Sequence, residues 1–164
     1  MSVTIREAHE ADADEIWAAL APVLAAGETY ALPRDMSRAD ALAYWMGADR
    51  TTYVALVDGV VAGTYYLRAN QQGGGAHVAN CGYVTAEHAQ GKGVARAMCA
   101  HSLQAAHAAG FHAMQFNLVV SANARAVRLW REMGFCSIGT LPGAFAHPTL
   151  GFVDAYVMWR SLLD

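Results

Sequence analysis

Gln90-Gly91-Lys92-Gly93-Val94-Ala95-Arg96 places two glycines between two runs of different character. The preceding run, residues 78–85, is apolar and typical of a buried strand. The following run, residues 94–109, is rich in alanine and free of Gly and Pro, which favours a helix. The first N–H groups of a helix have no partner within the helix, and the helix dipole adds partial positive charge there. The sequence therefore predicts that this turn binds a phosphate or pyrophosphate.

Three loop patterns place glycines between a strand and a helix. A nucleoside-triphosphate loop needs Ser or Thr directly after Gly-Lys, and Gly93 stands there instead. A dinucleotide fingerprint needs a third small residue where this chain has Arg96. The third pattern, Gln/Arg-x-x-Gly-x-Gly/Ala, is met by Gln90, Gly93 and Ala95, and it resembles the acetyl-CoA loop of the GNAT N-acetyltransferase superfamily. An ordinary glycine turn before a helix explains the loop equally well, so the rest of the chain has to decide.

Composition narrows the class of protein. The length of 164 residues predicts one domain, residues 1–164, and 55% hydrophobic residues predict a large core. A net charge of -3 gives no general attraction to nucleic acid. No apolar run is long enough to span a membrane and the N-terminus lacks a signal-peptide pattern, so a cytoplasmic protein without a membrane partner is expected. The cysteines, Cys81, Cys99 and Cys136, show no CxxC spacing and are expected to be buried free thiols.

The order of predicted elements is βααβββαβαββ. The pair Asp58-Gly59 between two β-rich runs predicts a hairpin. The central strand–helix–strand unit predicts a locally parallel pair with a right-handed crossover. The last two strands are predicted at residues 135–141 and 152–159, with a loop over residues 142–151. We therefore expect an α/β (α+β) fold with a mixed, mostly antiparallel central sheet and helices on both faces.

Further motifs extend the GNAT resemblance from Ile5 to about Trp159. They are Asp58-Gly59-x-x-x-Gly63, Tyr83-Val84-Thr85, and Asn123-x-x-Ala126 followed by Trp130 and Gly134-Phe135. Residues 77–135 also resemble a group of GNAT proteins to which we can assign no substrate. The resemblance implies a GNAT-type fold and acetyl-CoA as cosubstrate.

The resemblance also implies which residues bind the cofactor. The main chain of the glycine turn would hold the pyrophosphate, Gln90 would brace the turn, and Lys92 would either add charge or remain a solvated lysine. The strand at residues 83–85 would pair with the pantetheine arm, and a main-chain N–H near Thr85 would stabilise the oxyanion. The full expected set is Tyr83, Val84, Thr85, Gln90, Gly91, Lys92, Gly93, Val94, Ala95, Arg96, Asn123 and Trp130.

Trp130 departs from the family pattern, because many members have Tyr there to protonate the departing thiolate. Indole is a hydrogen-bond donor but not a useful acid. Either water or another group protonates the thiolate, or it leaves unprotonated. We expect Trp130 to act as a packing residue.

Candidates for catalysis and substrate binding are less specific. Glu28, in the early loop, is a candidate to take a proton or attract an ammonium group, although a solvated acid explains it equally well. Asn117 lies in an apolar run, where a buried amide must be hydrogen-bonded, so we expect it to face the cleft and act in catalysis. Tyr30 is a candidate pocket residue, and His77 is a candidate base that is more often simply exposed.

No metal is expected. The two histidines of the predicted central helix, His101 and His107, are six residues apart and do not share a helix face. No two histidines of the sequence stand at the i, i+4 spacing that a helical metal site uses.

The leading hypothesis is transfer of the acetyl group of acetyl-CoA to a primary amine of a small molecule, such as an amino acid or an amine antibiotic. Transfer would occur by direct attack in a ternary complex. One alternative is a non-catalytic acyl-CoA-binding module, and another is acetylation of a protein N-terminus or lysine. The resemblance also makes a homodimer possible.

Overall fold

The computed structural model describes residues 1–163, which form seven strands and four α-helices around one sheet. In chain order the elements are β1 (Val3–Glu7), α1 (Ala13–Ala26), α2 (Arg38–Trp45), β2 (Arg50–Val57), β3 (Val60–Ala69), β4 (Val78–Thr85), α3 (Val94–Ala108), β5 (Ala113–Val120), α4 (Ala124–Glu132), β6 (Cys136–His147) and β7 (Gly151–Ser161). This order confirms the one predicted from the sequence.

The sheet is mixed and mostly antiparallel, as expected. Its strand order is β1-β2-β3-β4-β5-β7-β6, and β4 with β5 is the parallel pair. These two strands pair only at Val78 with Ala113 and at Ala79 with Met114. Beyond this point they diverge, so the C-terminal halves of β4 and β5 leave a gap in the middle of the sheet.

Helices cover both faces of the sheet and bury two cores. On one face α1 and α2 pack Ile16, Leu20 and Trp45 against the strands. On the other face α3 contributes Met98 and α4 contributes Val127 to a larger core. The apolar spacing of each helix places these side chains on the stripe that faces the sheet.

Local signals set several element ends. Asp58 and Gly59 both have positive φ, 51° and 78°, which gives the hairpin between β2 and β3 the twist that such a two-residue turn needs. Ser37 Oγ accepts from Asp40 N at the start of α2. Asp12 stands before α1, but its carboxylate accepts from Arg6 and from His9 N instead of capping that helix.

The prediction of a loop over residues 142–151 is wrong. Strand β6 continues to His147, β7 begins at Gly151, and only residues 148–150 connect them. Pro142 is tolerated because β6 is an edge strand and its register shifts between Leu141 and Phe145. The sequence marks Pro142 as a breaker without showing that it lies at an edge.

Two expectations from composition are also answered. Cys81 and Cys99 are buried free thiols, whereas Cys136 lies exposed on the edge strand β6, so its predicted burial is wrong. Among residues 1–163 no helix combines the length and the apolar character needed to cross a bilayer.

Candidate functional site

A cavity of about 590 Å³ opens where β4 and β5 diverge. One wall is β4 from Cys81 to Thr85, and the other is β5 from Phe116 to Val120 together with the cavity-facing side of α4. The glycine turn before α3 forms the outer rim, and Thr29 and Tyr30 close the inner end. The cavity is therefore built by five separate parts of the chain.

The glycine turn presents a row of free main-chain donors. Gly91 and Gly93 have φ of 75° and 80°, which other residues adopt only with strain. Within residues 1–163, the N–H groups of residues 91–96 donate to no protein acceptor, and the first helix-opening bond runs from Ala97 N to Gly93 O, at 3.1 Å. Six consecutive N–H groups at a helix N-terminus, beside a cavity, suit a diphosphate.

Strand β4 adds main-chain donors deeper in the cavity. Ala86 N donates to Ala62 O of β3 at 2.8 Å, and Thr85 pairs opposite Gly63. Since successive residues of an antiparallel strand alternate their bonding direction, the N–H groups of Tyr83 and Thr85 face away from β3, toward the gap. No β5 residue pairs with them, because the ladder ends at Ala79.

Tyr30 shapes the inner end of the cavity. Its hydroxyl donates to the Tyr83 carbonyl at 2.7 Å, and its ring meets the Trp45 ring edge-on with centroids 5.8 Å apart. Burial raises the pKa of Tyr30 well above its usual value, so the hydroxyl stays protonated at neutral pH. With its proton donated to a carbonyl, the Tyr30 oxygen can act toward a further partner only as an acceptor.

Trp130 is packed as expected. Its ring lies 5.0 Å from the rings of both Tyr83 and Phe116, measured between centroids, and 6.4 Å from that of Phe135. This aromatic cluster forms the side wall of the cavity beneath α4. Asn123 Oδ1 accepts from Ala126 N at 3.2 Å, so the same residue caps α4 and lines the cavity.

Arginines dominate the mouth of the cavity. Glu132 accepts from Arg96 of α3 and from Arg128 Nε, the latter at 2.9 Å, and so links α3 to α4. These two hydrogen bonds hold the pKa of Glu132 below its usual range. Arg125 also lines the mouth.

Asn80 is a structural residue of the site that sequence reasoning missed. It is buried, its Nδ2 donates to Gln115 O of β5 at 3.0 Å, and its Oδ1 accepts from Arg68 Nε at 3.3 Å. This side chain bridges β4 and β5 directly after their last main-chain pair. The available signal was an amide inside an apolar strand, the same argument that selected Asn117.

Asn117 does not fit the role expected of it. It is exposed, does not line the cavity, and donates from Nδ2 to Asn70 Oδ1 at 2.6 Å. The prediction that Asn117 is buried is wrong, because successive side chains of a strand point to opposite faces and Asn117 lies on the face opposite the buried Phe116, where its side chain is exposed.

The remaining candidates divide between the cavity and the surface. Glu28 is exposed and does not line the cavity, although its neighbours Thr29 and Tyr30 do. His77 is exposed next to His112, at the end of β4 opposite the cavity. The Lys92 side chain is exposed and outside the lining, so only its main chain belongs to the donor row. The other expected residues, Tyr83, Val84, Thr85, Gln90, Gly91, Gly93, Val94, Ala95, Arg96, Asn123 and Trp130, line the cavity.

Comparison with known proteins settles the family. Residues 15–135, well over half of the chain, match the Acetyltransferase (GNAT) family. The chain belongs to the GNAT family. The resemblance seen in the sequence and the predicted GNAT-type fold are both confirmed.

Individual relatives agree with this assignment. The GNAT chain is 32% identical over 98 residues to N-acetyltransferase aca1 of Schizosaccharomyces pombe, an alignment that covers 58% of the chain and 46% of that protein. The chain thus spans less than half the length of this relative.

Solved structures give closer matches. A GCN5-related N-acetyltransferase from Kribbella flavida is 41% identical, with a TM-score of 0.92 over 97% of both chains. A phosphinothricin acetyltransferase from Sinorhizobium meliloti, solved with AcCoA, is 23% identical with a TM-score of 0.85, over 98% of this chain and 89% of its own. At that identity the second match shows the shared fold alone.

Proposed function

We propose that this GNAT protein transfers the acetyl group of acetyl-CoA to a primary amine of a small molecule by direct attack in a ternary complex. The observation that carries the proposal is one continuous cavity, with six unpartnered N–H groups at its rim and unpaired β4 main chain along its wall. A non-catalytic acyl-CoA module would need the rim and the wall, but not the polar inner end.

The cavity fits the parts of acetyl-CoA in order. The N–H groups of residues 91–96 suit the diphosphate, with Gln90 bracing the turn, and the main chain at residues 83–85 suits the amide groups of the pantetheine arm. Asn123 and Trp130 line the course of the arm toward the inner end. Bound acetyl-CoA supplies an activated acyl group as a thioester.

The inner end provides for the reacting groups. Thr85 N–H is an unpaired donor for the oxyanion that forms when an amine attacks the thioester. The Tyr30 oxygen acts only as an acceptor, so it would bind an N–H of the amine and direct the nitrogen lone pair toward the acyl carbon. Tyr30 is thereby assigned to substrate binding, as the sequence suggested.

The chain's own chemistry favours direct attack over a covalent enzyme intermediate. Cys81 lies in the cavity wall, but burial raises the pKa of its thiol to about 12. Since the thiolate is the nucleophilic form, Cys81 stays unreactive at neutral pH. With Cys81 unreactive, we infer that the amine itself attacks the thioester carbon.

The test is release of free thiol from acetyl-CoA with a panel of amines. The panel contains amino acids, aminoglycoside-type amines, peptides with a free N-terminus and phosphinothricin, which is included because the Sinorhizobium relative carries its name. Turnover with one or more small amines and not with peptides supports the proposal. Turnover only with peptides points to a protein substrate, and acetyl-CoA binding without turnover points to a binding module.

A further inference from the structure

One arginine at the cavity mouth has no partner among the described residues. Of the arginines that line the mouth, Arg96 and Arg128 both donate to Glu132. Glu132 is the only carboxylate among the lining residues in the described part of the chain. Within residues 1–163, Arg125 makes neither an ion pair nor a hydrogen bond, so its guanidinium is free to bind a ligand, whereas Arg96 and Arg128 share one carboxylate.

The position of Arg125 relates it to the anion-binding turn. It is the second residue of α4, across the mouth from the turn. A Cβ placed on Gly91 would lie 3.7 Å from Arg125 Nη2. Gly91 carries the first of the six free N–H groups, so the guanidinium flanks the row of donors instead of lying over its middle.

Coenzyme A carries more phosphate than the turn accommodates. Its diphosphate would use the row of main-chain donors, but a third phosphate is attached to the ribose 3′ carbon and would lie outside the cavity if the pantetheine arm runs inward. A phosphomonoester carries close to two negative charges at neutral pH, because its second pKa is about 6. A guanidinium is the side chain whose planar donors match such a group in a bidentate manner.

We propose that Arg125 binds the 3′-phosphate of coenzyme A and makes the cavity selective for complete coenzyme A thioesters over donors that lack this phosphate. The inference rests on the proposed function, because it assumes that coenzyme A occupies the cavity. On this proposal the first turn of α4 recognises the 3′-phosphate, which the main-chain N–H groups of the glycine turn do not.

The experiment compares coenzyme A with 3′-dephospho-coenzyme A by titration calorimetry. We expect the wild-type protein to prefer coenzyme A by about tenfold, as for a partly exposed charge-assisted hydrogen bond. Arg125→Gln should remove this preference by lowering the affinity for coenzyme A alone. Its affinity for the dephospho ligand should stay at the wild-type level, which also shows that the variant is folded.

Arg131→Gln is the matched control. Arg131 lies on the same helix, is exposed and, within the described residues, is also without an ion pair, but it does not line the cavity. Its removal changes the net charge equally and should leave the preference intact. The wild-type preference should also shrink in 0.5 M salt and below about pH 6, as the phosphate is screened or protonated.

Three results would overturn the inference. If Arg125→Gln lowers the affinity for both ligands equally, Arg125 contacts a part of the ligand other than the 3′-phosphate. Equal affinity of the wild-type protein for both ligands would show that no 3′-phosphate site exists. Failure of the wild-type protein to bind either ligand would remove the proposed function as well, which distinguishes that outcome from the first two.

Discussion

The two ends of the cavity are built in different ways. The rim is made of consecutive main-chain N–H groups at residues 91–96, held by two glycines with positive φ. The inner end is made of side chains and carbonyls that are distant in sequence, such as the bond from Tyr30 to Tyr83, which spans 53 positions. A short motif encodes the first, and only the packing of α1 against the sheet produces the second.

This difference separates a part of the site that depends on the main chain from a part that depends on particular side chains. The N–H groups of the turn belong to the main chain, so they stay in place when most of its side chains are replaced. The rim should therefore tolerate substitutions at positions other than the two glycines. The inner end changes whenever the loop after α1 changes. Variants at the rim should therefore affect every acyl-CoA ligand, and variants at the inner end should affect the amine.

The largest expected effect is at the rim. Gly93→Asp places a carboxylate in the row of donors, and we expect acetyl-CoA to bind at least about 100-fold more weakly, because two like charges a few ångströms apart repel by several kcal/mol near a protein surface. Calorimetry with acetyl-CoA measures this change.

Gly110→Asp is its control. Gly110 follows the opposite end of α3 with a φ of 89°, and, like Gly93, has no atom within 4 Å of an added Cβ. The backbone strain is thus similar and the anion site is distant. Equal loss in both variants, or near-normal binding by Gly93→Asp, would contradict the assignment of the rim.

The next largest effect is expected at Asn80, whose side chain bridges β4 and β5 where the gap between them begins. Asn80→Ala removes the bridge from β4 to Gln115 O and leaves that carbonyl and Arg68 Nε without this partner. We expect the free energy of unfolding to fall by about 2 kcal/mol and acetyl-CoA to bind more weakly, because the apex of the gap loosens. Urea denaturation and calorimetry measure the two changes.

Asn117→Ala tests the same residue type on the neighbouring strand. Its amide is exposed, so we expect a change within about 0.5 kcal/mol in the free energy of unfolding and unchanged turnover. A loss of turnover in Asn117→Ala would support the catalytic role that the sequence suggested for this residue. Unchanged stability and binding in Asn80→Ala would show that main-chain pairing alone holds β4 and β5 together at the apex of the gap.

A smaller effect should appear at the inner end alone. Tyr30→Phe removes the oxygen that would accept from the amine, and we expect kcat/KM for the amine to fall by about tenfold, the value of one hydrogen bond. The affinity for acetyl-CoA should not change. Steady-state kinetics with the amine found in the panel measures the first quantity.

Tyr44→Phe provides the comparison for Tyr30. Its hydroxyl lies 3.4 Å from that of Tyr66 and outside the cavity lining. We expect it to keep the wild-type kinetics. Loss of acetyl-CoA affinity in Tyr30→Phe would mean that the two ends are not independent.

The smallest effect concerns stability away from both ends. Hydrogen bonds from Arg6 lower the pKa of Asp12 from 3.8 to about 2. A depressed folded-state pKa stabilises the fold above the unfolded value, and this contribution is lost as pH falls from about 4 to about 2. We expect Asp12→Asn to lower the free energy of unfolding by about 1–2 kcal/mol at pH 7 and by almost nothing at pH 2.

Denaturation at several pH values checks this, with Asp14→Asn as the exposed control. Acetyl-CoA affinity at pH 7 should be unchanged in both variants. A binding loss in Asp12→Asn would show that lower stability alone weakens the site, and the effects at Gly93 and Asn80 would then need correction for it.

Sequence reasoning succeeded where one local pattern carries the information. The element order and the hairpin at Asp58-Gly59 each depend on a few neighbouring residues. It failed for Pro142 and for Asn117, because both interpretations required knowing which strand lies at an edge and which strand face is covered.

The candidate site divides in the same way. Residues of the glycine turn line the cavity, while Glu28 and His77 lie outside it. The residue type alone does not distinguish Glu28 or His77 from a residue that lines a pocket. Glu28 is excluded by the path of the loop after α1. His77 is excluded because the cavity lies at the other end of β4.

By itself the sequence determined the fold family and the glycine turn before α3, because glycines with positive φ and a following helix leave main-chain N–H groups free whatever surrounds them. The tertiary structure alone decided which side chains meet at the inner end, that Asn80 holds the apex and that Arg125 remains unpaired. Those features depend on contacts between elements that are far apart in the chain, and no local preference of the backbone specifies such contacts.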